Sequence, residues 1–437
     1  MADSSGLISG LLFLTVLAGA GSLAIATTRQ HHATIRFQIA LFLVALAVRF
    51  GTAIAIYGFG LVDLIRDADA TIWTSGLNTA KYWARYGVGL FDLPSVMLEA
   101  YSDDNRGYVY LLGAVYLLWD YETPSRYVAA ALNCGFGALT AVLVYRAARS
   151  LFGSDVAARV GWWMCFFPSL VIWSAQTLKE PVVIFLETVT LYSALQLVRG
   201  GSRWRYLVAS VAAVVLIMPF RFYVSYLVGG VTALALAVGM LRSNRIPLRP
   251  LIAGLAVIGG GVAVAIIAAQ NETVQGLDID YVFTQRENFA RGYGSGVSLS
   301  YDIGTIPGLV LGTVVGALYL LFAPFPWDWV GGSSLLLLTV PEVVMWWGVF
   351  FYGVVPGLRY ALKTRFGDIA PILALVVGFG LLYSLVFGNI GLVYRQRAQL
   401  VPWLLIFAVV GFDERRRRRE AGEGGRLQAG RRVPVPS

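Results

Sequence analysis

The sequence contains few charged residues and very few of the side chains that commonly bind metals or form disulfides. Of its 437 residues, 14% are Asp, Glu, Lys or Arg, 2 are Cys and 2 are His. Cys134 and Cys165 fall within apolar segments without a CxxC spacing, and His31 and His32 have no neighbouring Cys, Asp or Glu to complete a ligand set. The sequence therefore predicts neither a disulfide framework nor a metal site.

Apolar residues make up 57% of the chain and are gathered into segments of about 20 residues, the length that spans a bilayer. This pattern excludes a soluble multidomain protein and predicts an all-α polytopic membrane protein whose main partner is the lipid bilayer. The net charge of +9 does not indicate nucleic-acid binding, because most Lys and Arg residues lie in short links between apolar segments.

The charges of the links predict the topology. By the positive-inside rule five basic links should be cytoplasmic, and Asp155 is their only acid. Residues 61–125 carry nine Asp or Glu against four Lys or Arg, and residues 271–306 carry five against two, so both links should lie outside the cytoplasm. The basic links are Thr28–Arg36, Arg146–Arg159, Arg199–Arg205, Arg242–Arg249 and Arg359–Arg365.

Alternation of the chain across the membrane then favours eleven spans within a transmembrane domain of residues 1–412. The apolar segments Tyr108–Trp119 and Gly308–Phe322 conflict with this alternation, and we interpret the first as a juxtamembrane or re-entrant helix. Residues 413–437 are predicted to be a disordered basic cytoplasmic tail. The expected spans are residues 5–27, 36–60, 126–149, 156–177, 180–198, 205–220, 222–241, 249–270, 336–358, 368–388 and 396–412.

Two acids, Asp67 and Asp69, follow the second span and precede an amphipathic segment with apolar positions at Trp73, Leu77 and Ala80. That spacing predicts a helix at the membrane interface. A carboxylate held there loses part of its hydration, which raises its proton affinity and makes it a candidate general base. The alternative is that Asp69 only caps the helix.

A second polar break, Ser174–Pro181, lies between two apolar segments and is predicted on the same outer face. Lys179 and Glu180 are its charged residues. Pro181 suits the first turn of a helix and Glu180 would complement the positive helix end, so a purely structural role is the alternative to a catalytic one.

Several arginines lie at predicted outer boundaries, against the positive-inside trend. Arg221, Arg395 and Arg397 could join Lys179 in holding a phosphate or pyrophosphate, because guanidinium groups bind phosphate oxygens in a bidentate manner. Contact with phospholipid headgroups is the alternative explanation. The outer link 271–306 adds Arg286 and Arg291, in what could be a lid or an ordinary surface loop.

These features resemble the GT-C superfamily of membrane glycosyltransferases, in particular bacterial relatives of the protein mannosyltransferases and the lipid A aminoarabinose transferase. The resemblance rests on Asp69 with Trp73 four residues later, on Tyr145–Gly153, on Phe167–Leu170 followed by Thr177–Glu180, and on the final stretch Asn389–Arg397. It covers roughly residues 36–200 and weakens beyond them. The family's Asp-Glu pair is replaced here by Asp67 and Asp69, which leaves two candidates for the base.

The resemblance implies a GT-C-like bundle in a bacterial plasma membrane, with juxtamembrane helices in the first outer loop and an active site on the extracytoplasmic face. It implies transfer of a sugar from a polyprenyl-phosphate donor to a lipid, glycan or protein acceptor. Asp69 would activate the acceptor, Glu180 would position or assist it, and basic residues would stabilise the phosphate leaving group. Some members of the family need a divalent metal ion and others do not.

Two other functions fit the same residues. A polysaccharide polymerase or ligase acting on a polyprenyl-pyrophosphate glycan would also need outer arginines and a large acidic loop. A lipid-linked oligosaccharide flippase or another transporter would use the arginines to guide an anion without any chemistry, and would be expected to carry charged residues along a central cavity.

Overall fold

The computed structural model describes residues 4–28, 30–63, 72–101, 106–122, 125–200, 203–243, 305–329, 334–385 and 388–430. The regular elements in these ranges are all helical. They are α1 (Ser4–Ala26), α2 (His32–Gly58), α3 (Ile72–Arg85), α4 (Leu93–Leu98), α5 (Gly107–Trp119), α6 (Arg126–Phe152), α7 (Ser154–Phe166), α8 (Pro168–Ser174), α9 (Glu180–Val198), α10 (Arg203–Ile217), α11 (Phe222–Ser243), α12 (Ile306–Phe322), α13 (Pro326–Trp329), α14 (Ser334–Val349), α15 (Val355–Thr364), α16 (Phe366–Leu385), α17 (Ile390–Arg397) and α18 (Val401–Gly430).

Seven helices in the described residues are long and apolar enough to cross a membrane. The number becomes eight if α7 and α8, which meet at a 54° bend, form one broken span. Pro168 at the start of α8 accounts for the bend, since proline ends the helix that precedes it. The prediction of an all-helical, multi-pass membrane protein is therefore confirmed, whereas the count of eleven spans and the GT-C-like arrangement are not.

The differences from the predicted spans have local causes. In place of a span over residues 205–220 there is only the 15-residue helix α10, which ends at a turn before Pro219. The predicted span 396–412 is divided, because α17 ends at Arg397 and α18 begins only at Val401. The predicted span 249–270 lies outside the described residues.

Three helices occupy the described part of the first acidic link. α3 is amphipathic, as its apolar spacing predicts, and buries Leu77, Ala80 and Trp83. It packs against the short apolar helix α5, and Gly76 allows close approach because a Cβ atom there would lie 2.4 Å from Cβ of Leu112. The segment interpreted from the sequence as too short to span is thus a 13-residue helix that supports α3.

α6 and α9 form the centre of the bundle. In the most apolar window of each helix, 72% and 78% of the residues are buried, against 11% in α1. α6 packs against α1, α2, α7 and α9 and presents small residues, including Ala129, Ala130 and Gly137, to its neighbours. Small residues let helix backbones approach closely in a membrane, where packing rather than water exclusion holds helices together.

A glycine contact joins the segment around α15 to α18. Gly353, in a five-residue π-helical turn between α14 and α15, and Gly357 both face α18. A Cβ at Gly357 would lie 1.9 Å from the Phe407 carbonyl oxygen, and one at Gly411 would lie 2.0 Å from the Gly353 carbonyl oxygen. These backbones touch, so this helix pair packs as a single unit.

Several basic links meet at one end of the bundle. Arg149 reaches Gln30, Arg199 donates to the Ser150 carbonyl, and Arg159 forms an ion pair with Asp413. Four segments that the charge pattern assigns to the same side of the membrane are therefore close together, and we call this end the basic end.

α18 continues past Asp413 to Gly430, into the residues for which the sequence predicts a disordered tail. Arg416 pairs with Glu420, and Arg418 pairs with Glu414, each at 2.8 Å. Pairs of opposite charge four residues apart stabilise helices.

Candidate functional site

The polar break between α8 and α9 is held in place from within the bundle. The buried Asn133 side chain of α6 donates to the carbonyl oxygens of Gln176 and Leu178, at 2.6 and 2.7 Å. Pro181 occupies the first turn of α9, where its missing N–H has no effect on the helix. This arrangement puts Glu180 at the first position of α9 with its side chain fully buried.

Arg221 lies in the turn between α10 and α11. Its backbone N–H donates to the Ile217 carbonyl at 3.0 Å, and its carbonyl accepts the first hydrogen bonds of α11. The same turn is tied to α5, because the Gly107 N–H donates to the Pro219 carbonyl at 2.9 Å. A Cβ at position 107 would lie 2.8 Å from Pro219, so this contact requires glycine.

The late arginines lie on the short helix α17. Asn389 starts this helix, because its side-chain oxygen accepts a hydrogen bond from the Leu392 N–H at 3.0 Å. The Asn389–Arg397 stretch therefore folds as a separate short helix instead of joining the last span. This places Arg395 beside the start of α9 and Arg397 beside the end of α12.

Two of these arginines converge on one acid. Arg221 Nη2 donates to Glu180 Oε1, and Arg395 Nε lies 3.2 Å from the same oxygen. The side chains of Glu180, Arg221 and Arg395 are 0%, 4% and 13% exposed, so Arg395 forms the accessible edge. The charge of Lys179 also acts on Glu180. We call Glu180, Arg221 and Arg395 the arginine–glutamate cluster.

A second buried acid extends the cluster into the bundle. Glu187 lies two turns after Glu180 on α9. With the Gln399 amide oriented so that its donors and acceptors are satisfied, Gln399 donates to Glu187 Oε1 at 2.9 Å and accepts from Arg221 Nη1 at 3.0 Å. Tyr383 completes this network beside Gln399. Arg221 is thus held by Glu180 at one nitrogen and by Gln399 at another.

Arg397 has different partners. It donates to the carbonyl oxygens of Leu321 and Ala323, at 3.0 and 2.6 Å, and its guanidinium lies 4.7 Å from the centre of the Tyr394 ring. These carbonyls are at the C-terminal end of α12, where a cation complements the helix dipole. Arg397 therefore fastens α17 to α12.

Tyr394 links Arg397 to a further acid, Glu342 of α14. The Tyr394 hydroxyl and Ser169 both interact with the Glu342 carboxylate. Burial raises the pKa of the Tyr394 phenol well above its ordinary value, so the group stays protonated and can donate a hydrogen bond. Glu342 and Arg397 together form a polar patch of opposite charges next to the cluster.

The structure brings together Lys179, Glu180, Arg221 and Arg395, four of the residues that the sequence singles out. Asp67, Asp69, Arg286 and Arg291 lie outside the described residues. Sequence reasoning missed four residues that build the site: Asn133, Glu187, Glu342 and Gln399. Glu187 and Glu342 carried a usable signal, because each is an acid within an apolar helix, where ionisable residues are costly and usually have a function.

The cluster is suited to binding an anion. Three cationic side chains act on one carboxylate, and the two guanidiniums are held rigidly in a buried setting. In surroundings of low polarity a fixed guanidinium attracts phosphate oxygens much more strongly than it does in water. Among the described residues no group of three or more His, Cys, Asp or Glu side chains is placed to hold a metal ion.

Comparison of the chain with protein-family models, with curated proteins and with solved structures gave no match.

Proposed function

We propose that the protein is a membrane glycosyltransferase that moves a sugar from a polyprenyl-phosphate donor to a lipid, glycan or protein acceptor. The observation that carries this proposal is the convergence of Arg221 and Arg395, 174 positions apart in the sequence, on the buried Glu180 carboxylate. A bundle gains little stability from burying such a set compared with apolar residues of similar volume. We attribute the burial of these charged side chains to ligand binding.

In this reaction the bond between the sugar C1 and the phosphate oxygen breaks, and the acceptor oxygen or nitrogen bonds to C1. The base takes the proton of the acceptor, and polyprenyl phosphate leaves with the electron pair and one additional negative charge. Fixed guanidiniums stabilise that developing charge. Arg395 is the residue we assign to direct phosphate contact, because it is the most exposed member of the cluster.

The role we propose for Glu180 is to position Arg221 and Arg395. It is fully buried, and its Oε1 accepts from Arg221 and lies 3.2 Å from Arg395 Nε, so burial and these two cations leave it poorly placed to take a proton from an acceptor. Asp69 remains the proposed base on the strength of its sequence context, with Asp67 as the alternative. The extracytoplasmic location of the site is likewise part of the proposal and follows from the charges of the links.

Binding of a synthetic polyprenyl phosphate to the purified full-length chain in detergent tests the anion site. The Arg395→Gln variant should bind at least about tenfold more weakly, because a hydrogen bond to a charged group contributes roughly 1.5–3 kcal/mol. Arg199→Gln, at the basic end, is the matched control and should bind as the wild type does. Equal affinity in wild type and Arg395→Gln would reject the assignment of the cluster.

Transfer itself is tested separately. Mass spectrometry of lipid and glycan pools from cells with and without the gene should reveal an acceptor that loses its sugar and a donor that accumulates. Purified Asp69→Asn protein should then fail to transfer that sugar while still binding polyprenyl phosphate. Retained turnover in Asp69→Asn would exclude this residue as the base.

The deeper polar network favours a second candidate, a transporter or flippase of lipid-linked sugars. Glu187, Gln399 and Tyr383 continue from the cluster towards the middle of the bundle, as polar groups along a translocation path would. Proteoliposomes loaded with a fluorescent polyprenyl-phosphate lipid that carries a sugar distinguish the two. A flippase moves the lipid between leaflets without chemical change, whereas the transferase alters its headgroup only when an acceptor is present.

A further inference from the structure

A second cation lies inside the bundle, separate from the arginine–glutamate cluster. Arg49 is in the interior of the predicted span α2, 17 residues after its first residue, and only 1% of its surface is exposed. Its Nη1 and Nη2 donate to the carbonyl oxygens of Ala45 and Met164, at 3.2 and 2.8 Å. No carboxylate in the described residues contacts it, and the groups that act on its charge are the thiols of Cys134 and Cys165.

Two hydrogen-bond donors at this position have no acceptor among the described residues. They are Nε of Arg49 and the indole Nε1 of Trp173, whose side chain is 6% exposed. Both groups can only donate, so they cannot satisfy each other. Burying either one without an acceptor is costly, and the cost is greatest for the charged group.

Both residues line the same small cavity, between α2, α6 and α8. Its volume is about 20 Å³, which exceeds the roughly 10–15 Å³ that one water-sized occupant requires. A phosphate, with four oxygens around its central atom, is too large for this space. The occupant must therefore be monatomic or the size of a water molecule.

Gly137 and Ser174 shape the wall beside Arg49. A Cβ at Gly137 would lie 2.7 Å from Arg49 Nε and 2.9 Å from Ser174 Oγ, so only glycine lets the guanidinium pack this close to α6. Because the Ser174 hydroxyl donates its proton to the Leu170 carbonyl at 2.5 Å, it has no donor left for the cavity. The donors of the lining residues that lack an acceptor in the described part of the chain are thus Arg49 Nε and Trp173 Nε1.

We infer that this cavity is a binding site for a halide ion, with chloride as the physiological ligand. A halide accepts hydrogen bonds and carries the negative charge that a buried guanidinium needs, so one ion satisfies Arg49 Nε and Trp173 Nε1 together. A water molecule would accept the same bonds but would leave the charge of Arg49 uncompensated. The inference does not rest on the proposed transferase activity.

Equilibrium dialysis of the purified full-length chain in detergent against radioactive chloride tests this inference. The wild type should bind about one chloride per chain in a saturable manner. Trp173→Phe, which keeps an aromatic ring but removes the donor, should weaken binding by about tenfold, as loss of one hydrogen bond to a charged group predicts. Gly137→Ala should also weaken binding, because its methyl group fills the space beside Arg49 Nε.

Trp162→Phe is the matched control, since Trp162 is exposed on α7 and should leave chloride binding unchanged. Arg49→Met should remove binding entirely, and Trp173→Phe keeps the test decisive if Arg49→Met does not fold. Saturable binding that is the same in wild type, Trp173→Phe and Gly137→Ala would place the ion at another arginine and overturn the inference. Absence of saturable binding in the wild type would show that the cavity holds water.

Discussion

Replacement of Glu180 by Gln is the most direct test of how the arginine–glutamate cluster is held together. The substitution keeps the shape of the side chain but removes the charge that Arg221 and Arg395 share. Removing one partner of a buried ion pair costs roughly 3–5 kcal/mol, because the remaining charge stays buried without compensation. Here two guanidiniums lose the same acceptor oxygen, so we expect a loss towards the upper end of that range.

The loss can be expressed as a shift in the thermal midpoint. With an unfolding entropy of about 2.1 cal/mol/K per residue, a chain of this length would have a total of about 0.9 kcal/mol/K, and a loss near the upper end of the range corresponds to a drop of about 5 °C. Differential scanning fluorimetry of the purified protein measures this drop. Glu122→Gln, an exposed acid in the link before α6, is the control and should leave the midpoint unchanged.

The Glu180→Asp variant refines the test. It retains the charge but shortens the side chain by one methylene, so the 3.2 Å ion pair with Arg395 should lengthen and weaken. Its thermal midpoint should lie between those of the wild type and Glu180→Gln. A Glu180→Gln protein as stable as the wild type would refute the reasoning, because the carboxylate would then contribute nothing to holding the arginines.

Three further results follow from the structure. Gly357→Ala should lower the thermal midpoint and the yield of folded protein, because overpacking typically costs about 1–3 kcal/mol and this Cβ would meet the Phe407 carbonyl. Gly348→Ala is the control, since no atom lies within 4 Å of the added Cβ. Arg397→Gln should destabilise the protein, because it loses the hydrogen bonds to the Leu321 and Ala323 carbonyls. It should weaken polyprenyl-phosphate affinity less than Arg395→Gln does, and equal affinity losses in the two variants would contradict their separate roles. Burial raises the pKa of Asp328 above its unfolded value of 3.8, so the folded state binds this proton more tightly than the unfolded state does. The stability that the group contributes therefore increases as the pH falls through its folded pKa, and it is complete below its unfolded pKa. Denaturation of the wild type and Asp328→Asn across that pH range should show this increase only in the wild type.

The sequence was sufficient to predict the class of the protein and the rough positions of most described spans. Apolar segment length is a local property, and α1, α2, α6, α9 and α16 follow it closely. The failures came where two adjacent segments share one apolar stretch. The Asn389 cap that starts α17 is a local signal, but the contacts of Arg397 with α12 join distant segments, and no local pattern encodes them.

The site was predictable in part. Charges at the ends of apolar segments pointed to Lys179, Glu180, Arg221 and Arg395, because such residues are costly at a membrane boundary. Their mutual contacts were not predictable, since the residues come from three distant segments. Arg49 was overlooked although it interrupts an apolar span, and its lack of an acidic partner becomes visible only when α2, α6 and α8 are placed together.

The order of the chain has a consequence for how the cluster is assembled. During synthesis Glu180 and Arg221 leave the ribosome well before Arg395, which follows Arg221 by 174 residues. The acid can therefore meet its first arginine early, but the accessible arginine arrives only after α11 to α16 have been made. Under the proposed function, a protein truncated before α17 would retain the buried pair but lack the arginine assigned to phosphate contact, so prematurely terminated copies should fail to bind polyprenyl phosphate.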